Sequence, residues 1–155
     1  MQIRRPEPAK AWRQAEWIAA MEPWLSLGYQ RAHLARYLRR MARAEQVLAA
    51  EEKGAVLGVV VYQPDFLLGR FISLLAVRPA AGGRGIGRAL VARIEQETFK
   101  TSRWLYVSSD SANQSAAHFY KKLGFSRIAG LPGLIRAERT EILWRKSRPA
   151  VGKRG

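Results

Sequence analysis

Between Leu74 and Leu90 an apolar run stops at a proline, a bend with almost no side chains follows, and a helical pattern begins. The run is Leu74-Leu75-Ala76-Val77-Arg78-Pro79, and the bend is Ala80-Ala81-Gly82-Gly83-Arg84-Gly85. Ile86, Leu90 and Ile94 then recur at helical spacing. A strand that ends where a helix starts leaves main-chain N–H groups pointing at open space, and the helix start adds the positive end of its dipole. Such a bend suits phosphate groups.

The rest of the chain predicts a sheet for that bend to sit on. Gln2 to Arg5 reads as a short strand broken by Pro6 and Pro8. A helix is expected from about Ala9 to Met21, and a second from Gln30 to Ala44 with Leu34, Tyr37, Leu38 and Met41 on one stripe. The second helix carries Arg31, Arg36, Arg39, Arg40 and Arg43 on its other face, which reads as a solvated surface. Trp24 to Tyr29 forms an aromatic loop between the two helices. Strands are expected over Gln46–Glu51, Val56–Gln63, Gly69–Arg78, Arg103–Ser109, Phe125–Ala129 and Thr140–Arg145. Lys53-Gly54 is a hairpin turn, Pro64-Asp65 an interruption, and Gly130 to Leu134 a turn. Helices are expected over Gly85–Phe99 and Asn113–Leu123, the latter capped by Gly124. No repeat or linker divides this order, so residues 1–146 read as one α+β domain. A basic, disordered tail is expected over 147–155.

Three glycine motifs compete for the central bend. A Walker loop needs Lys and Ser or Thr after its last glycine, but Arg88 and Ala89 follow Gly87. A dinucleotide fingerprint needs Gly or Ala where Arg88 or Leu90 stands, and an acidic residue about twenty positions on, where Glu95 and Glu97 lie too close. The third motif fits. Val77-Arg78-Pro79 with Gly82, Gly83, Arg84, Gly85, Ile86, Gly87 and Arg88 resembles the acyl-CoA pyrophosphate loop of the GNAT superfamily of N-acetyltransferases, with Gly82 where the family usually has Arg or Gln. Asn113-Gln114-Ser115-Ala116-Ala117-His118-Phe119-Tyr120-Lys121-Lys122-Leu123-Gly124-Phe125 resembles the Asn-x-x-Ala-x-x-Phe-Tyr-x-x-x-Gly-Phe helix of the same family. Among relatives, the chain is nearest in character to ribosomal-protein-alanine enzymes and small uncharacterised members.

The resemblance implies a three-layer fold, with a mixed sheet of six to seven strands flanked by about four helices and splayed between the fourth and fifth strands. It implies acetyl-CoA as cosubstrate and direct attack by a primary amine, without a metal. Leu75, Ala76 and Val77 would pair with the pantetheine amides, Gly83 to Arg88 would take the diphosphate, and Asn113 and Ala116 would meet the pantetheine arm. The Val77 N–H would polarise the carbonyl, and Tyr120 would be the acid for the thiolate. Trp24, Leu27, Tyr29 and Tyr37, with Trp17 and Leu134, would line the acceptor pocket. The base is left open: relatives that acetylate ribosomal-protein alanines place Glu where Tyr106 stands, and Asp110, Glu138 and Glu141 are the carboxylates to hand. A base matters because a lysine amine at neutral pH carries a deprotonation cost of about 4–5 kcal/mol, against about 1–1.5 kcal/mol for an α-amino group.

Composition narrows the alternatives. Without cysteine, disulfides, zinc thiolates and thiol nucleophiles are excluded. No apolar run approaches the roughly 18–20 residues that span a bilayer, and no signal peptide is apparent at the N-terminus. The lack of cysteine fits a reducing cytoplasm, where a monomer or homodimer is expected. The formal net charge of +15 favours anionic partners. Two other readings therefore stand beside the enzyme: an acyl-CoA-binding regulatory module, and a basic protein that associates with ribosomes or, non-specifically, with nucleic acid. His33 and His118 lack partners for a triad or metal site and read as surface residues.

Overall fold

The alternation along β3 (Ala55–Phe66) sends Val59 and Val61 to one side of the sheet and Val60 and Tyr62 to the other, so both faces need cover. A computed structural model, which describes residues 1–151, shows how each face is covered. Helices α1 (Pro8–Trp12), α2 (Ala15–Ala19) and α3 (Arg31–Arg43) pack on the first side, where Ala11, Ile18, Leu34 and Leu38 meet Val47, Val59, Val61 and Leu74. Helices α4 (Ile86–Thr98) and α5 (Gln114–Lys122) pack on the second, where Ile86, Leu90, Ile94 and Tyr120 meet Leu48, Val60, Ile72, Leu105 and Trp144.

The sheet adds β1 (Gln2–Arg4), β2 (Val47–Glu52), β4 (Gly69–Val77), β5 (Trp104–Asp110), β6 (Ser126–Pro132) and β7 (Thr140–Ser147), in the order β1-β2-β3-β4-β5-β7-β6. All neighbours are antiparallel except β4 and β5. That parallel pair holds only from Gly69 opposite Trp104 to Ile72 opposite Val107. Beyond it the strands part. The cause lies one residue on: Val61 pairs with Leu74 and Tyr62 with Ile72, so Ser73 is an extra residue in β4. A bulge bends the strand that carries it, and here it turns Leu74–Val77 away from β5. The expected splay is therefore present, and Ser73 is its pivot.

Three local expectations are corrected. The helix expected over 9–21 is two short ones, because the Gln14 amide bonds three residues back to Ala11 and tightens the turn. Pro64 does not end β3; the ladder is irregular between Gln63 and Phe66, which accommodates a residue without an N–H. The hairpin turns instead at Leu67 and Leu68, both at positive φ (44° and 63°). Tertiary contacts hold that unusual turn: Phe66 packs on Phe71 and Tyr106 at ring separations of 4.8 and 5.1 Å, and the Tyr106 hydroxyl donates to the Leu67 carbonyl at 3.1 Å. Gly130 to Pro132 are strand, paired with Ile142, Glu141 and Thr140, and the turn comes later.

Lys53-Gly54 does form a two-residue turn with both φ positive, as a hairpin of this kind requires. The expected tail begins inside the structure: Ser147 pairs with Trp104, and the Arg148 amide donates to the Arg103 carbonyl at 2.7 Å. Residues 152–155 of that tail lie outside the described residues. Among the described residues no helix is long and apolar enough to cross a membrane.

Candidate active site

The splay exposes main-chain groups that a closed sheet would consume. Arg78 and Leu57 form a hydrogen-bonded pair, with the Arg78 amide donating at 2.8 Å. Alternation from that pair directs the Ala76 amide to Val59 of β3 and turns those of Leu75 and Val77 into the gap. Ala76, expected to pair with a cofactor, already has its main-chain partners, and its side chain is buried under α3. Leu75 and Val77 line a cavity of about 780 Å³.

The glycine bend forms the end wall of this cavity. Pro79–Ala81 make a single 3₁₀ turn, and Gly83 and Gly85 then adopt left-handed φ of 79° and 76°. A Cβ at either would meet no atom within 4 Å, so the space in front of the bend is open. Gly85 caps α4, and the first intrahelical bond is that of the Ala89 amide to the Gly85 carbonyl at 3.0 Å. The amides of the first turn precede that bond and remain free for a ligand. Gly82, Gly83, Gly85, Ile86, Gly87 and Arg88 all line the cavity. Arg84 does not; its guanidinium is drawn to Glu52.

Helix α5 supplies the opposite wall. Asn113 caps it, accepting from the Ala116 amide at 3.1 Å through Oδ1, which leaves the Nδ2 donors for the cavity. Asn113→Ala is expected to cost about 1 kcal/mol of stability through the lost cap and to weaken acetyl-CoA binding as well. A thermal melt and calorimetry separate the two effects.

A second cavity of about 270 Å³ opens on the α3 side of the gap. The two cavities share Pro23, Leu75, Asp110, Asn113, Ala116 and Tyr120. Tyr120 is buried between Phe119 and Phe125, edge-on to both rings. Burial, with a smaller contribution from the charge of Glu141, raises its pKa, so the hydroxyl is protonated throughout the neutral range.

Trp24, Leu27, Tyr29 and Leu134 line the second cavity. Tyr37 lines a neighbouring one of about 380 Å³, which shares Trp24, Tyr29, Ser73 and Leu74 with it. The Tyr37 hydroxyl is hydrogen-bonded to Ser73, tying α3 to the bulge. Burial raises the pKa of both Tyr29 and Tyr37. Trp17 lines none of these cavities. Its indole N–H donates to Gln14 at 2.7 Å and its ring lies 4.9 Å from the Arg78 guanidinium, a packing role.

The four base candidates are now distinct. Tyr106 stands outside both cavities, its hydroxyl on Leu67. Glu138 is exposed beside Arg136. Asp110 is buried, but Arg139 Nε donates to one of its oxygens at 2.9 Å and the Ala112 amide to the other at 2.8 Å. Glu141 is buried at only 8% exposure in the wall of the second cavity. Ser108 Oγ donates to its Oε2 at 3.2 Å, and Oε1 has no hydrogen-bond partner among the described residues. Burial raises its pKa, and Asp110 directly across the β5–β7 ladder adds to the rise, while Ser108 and Arg139 oppose it.

Sequence reasoning did not single out Ser108 or Arg139. Ser108 alternates with Asp110 along β5, which put it on the same face, but only the β5–β7 register shows that this face meets Glu141. No spacing signal announces Arg139.

The model of the Acetyltransferase (GNAT) family matches residues 9–125. Ard1 from Thermoplasma volcanium superposes with a TM-score of 0.80 at 21% identity, over 96% of this chain and 98% of that one. A ribosomal-protein-alanine N-acetyltransferase from Brucella melitensis gives 0.75 at 18% identity, over 96% and 100%. An aminoglycoside 6'-N-acetyltransferase complexed with coenzyme A gives 0.76 at 17% identity, over 97% and 100%. At such identities the structural likeness establishes the fold. The family match covers most of the chain and goes further: this protein belongs to the GNAT acetyltransferase family.

Proposed function

We propose that the chain transfers an acetyl group from acetyl-CoA to a primary amine by direct attack in a ternary complex. The observation that carries this reading is that a long groove with free main-chain amides and a smaller, partly acidic pocket meet at the Tyr120 side chain. The residues present suit a coenzyme A thioester. Leu75 and Val77 offer an open strand edge to the pantetheine amides, which would add to β4 as a further strand. The free amides from Gly83 to Arg88, the start of α4 and the Arg88 side chain suit a diphosphate.

Acetyl-CoA supplies an electrophilic carbonyl and a sulfur leaving group. The chain's own residues do the rest. The Val77 N–H, aimed into the gap, donates to the carbonyl oxygen as it gains charge. Glu141 Oε1 takes a proton from the incoming ammonium, and its raised pKa makes it a better base than an exposed carboxylate. Tyr120 donates its hydroxyl proton to the sulfur as the C–S bond breaks and takes up the second proton that the nitrogen sheds as the amide forms, so no buried tyrosinate is left behind. Asp110, held by Arg139 and the Ala112 amide, keeps the charge opposite Glu141 fixed. The aromatic walls from Trp24, Tyr29 and Tyr37 suit an acceptor with an apolar group beside its amine.

Tyr120→Phe is the direct test. Turnover is expected to fall about 10–100-fold with the affinity for acetyl-CoA unchanged. It is measured as coenzyme A release with a panel of amines that includes N-terminal peptides, lysine peptides and arylalkylamines. Unchanged turnover would remove Tyr120 from the mechanism. Double-reciprocal plots are expected to intersect, because no residue forms an acyl intermediate; parallel lines would contradict direct attack.

A further inference from the structure

Four arginines of α3, Arg36, Arg39, Arg40 and Arg43, are exposed on the face opposite the buried stripe of Leu34, Leu38, Met41 and Ala42. At helical spacing they fill a sector of about 100° over a length of about 10 Å. Helix α3 contains no acidic residue. None of the four forms an ion pair among the described residues. Arg39 lies 5.3 Å from the Trp12 ring, and Arg13 approaches the same ring at 6.0 Å, so the strip continues onto α1. Four uncompensated charges packed this closely repel one another in the free protein, and a polyanion relieves that repulsion.

The chemistry of the face selects among polyanions. No large apolar side chain of α3 is exposed. The Trp12 ring beside it is covered by Arg13 and Arg39, so a protein partner would lack the open apolar anchor on which tight interfaces depend, and a bilayer would have nothing to take up below its headgroups. The four charges are all arginine, whose planar fork grips phosphate oxygens in pairs. A nucleic-acid duplex presents about six phosphate charges over the same 10 Å of its axis. We propose that this face of α3 docks on the phosphate backbone of double-stranded nucleic acid without reading base sequence.

The test is fluorescence anisotropy of the whole chain against labelled 20-base-pair duplexes of RNA and of DNA, at salt from about 50 to 200 mM. Saturable binding to either duplex is expected, with log K falling against log salt at a slope of about −3 to −4 on DNA for four phosphate contacts. Arg36→Gln/Arg39→Gln/Arg43→Gln is expected to weaken binding at least tenfold and to flatten that slope by about 2.7. The single variants Arg36→Gln and Arg43→Gln, each expected to flatten it by about 0.9, serve if the triple variant does not fold. Arg103→Gln/Arg148→Gln, at the far end of β5 and β7, is expected to bind as the parent does. No binding to either duplex at low salt overturns the proposal. So does a slope untouched by the α3 variants, a loss produced by the Arg103/Arg148 variant instead, or equal affinity for polyglutamate or phosphatidylserine vesicles.

Discussion

Replacing Gly85 with valine is expected to raise the acetyl-CoA dissociation constant at least ~100-fold, a loss of roughly 3 kcal/mol of binding free energy. Two separate effects combine. Gly85 has φ of 76°, a conformation that costs a side-chain-bearing residue about 1–2 kcal/mol and suits a β-branched one worst. The strain also displaces the first-turn amides of α4, and the new methyl groups fill the open space where a diphosphate would lie. Gly54→Val is the matched control. Gly54 has φ of 78° and nothing within 4 Å of its would-be Cβ, but it sits in the β2–β3 hairpin away from the cavity. The two variants should lose similar stability, a few degrees in melting temperature for a domain of this size. Only Gly85→Val should lose the cosubstrate in calorimetry. If Gly85→Val bound acetyl-CoA like the parent, the bend would not be the diphosphate site.

Glu141→Gln is expected to lower kcat about 10²–10³-fold while leaving the KM for acetyl-CoA unchanged. The amide preserves the acceptor for Ser108 Oγ but cannot take a proton. In the parent, activity should rise with pH as Glu141 ionises, at a pH above the ordinary carboxylate range because burial and Asp110 both raise its pKa. That limb should vanish in the variant. Stability should move the other way. A carboxyl whose pKa is higher folded than unfolded favours the fold most below its unfolded value, and that contribution is lost as pH rises through the folded value. At neutral pH, then, ionised Glu141 opposes folding, and Glu141→Gln should melt at a higher temperature than the parent. The difference should close towards acid pH, where Glu141 is itself protonated. A variant of undiminished kcat with the same pH profile would return the base to Asp110 or to solvent.

Reading the chain as a linear pattern reached the fold, and the glycine bend and Asn113 helix that line the first cavity, because both depend on local signals. Val77-Arg78-Pro79, the glycines after it and the Asn113 helix each occupy one unbroken stretch. Their geometry follows from which residues tolerate left-handed φ or cap a helix. Where tertiary packing overrode local preference, the reading went astray. Leu67 and Leu68 turn a hairpin that glycine or asparagine would be expected to turn, because Phe66 and Tyr106 lock the strand ends beside them. Ala76 lies within the right segment, but its amide points to β3, which only the bond between Arg78 and Leu57 reveals.

The sequence by itself determined where the open glycine bend lies, since that bend is made of main chain and the absence of side chains is visible in the letters. Only the tertiary structure decided which carboxylate lines a cavity with an oxygen left unpartnered. Asp110, Glu138 and Glu141 look alike in the chain; the register of β5 against β7 buries two of them side by side, gives Asp110 to Arg139, and leaves Glu141 with a free oxygen in the cavity wall. Acid–base character is a property of surroundings, and those surroundings come from strands more than thirty residues apart in sequence that meet only when the sheet closes.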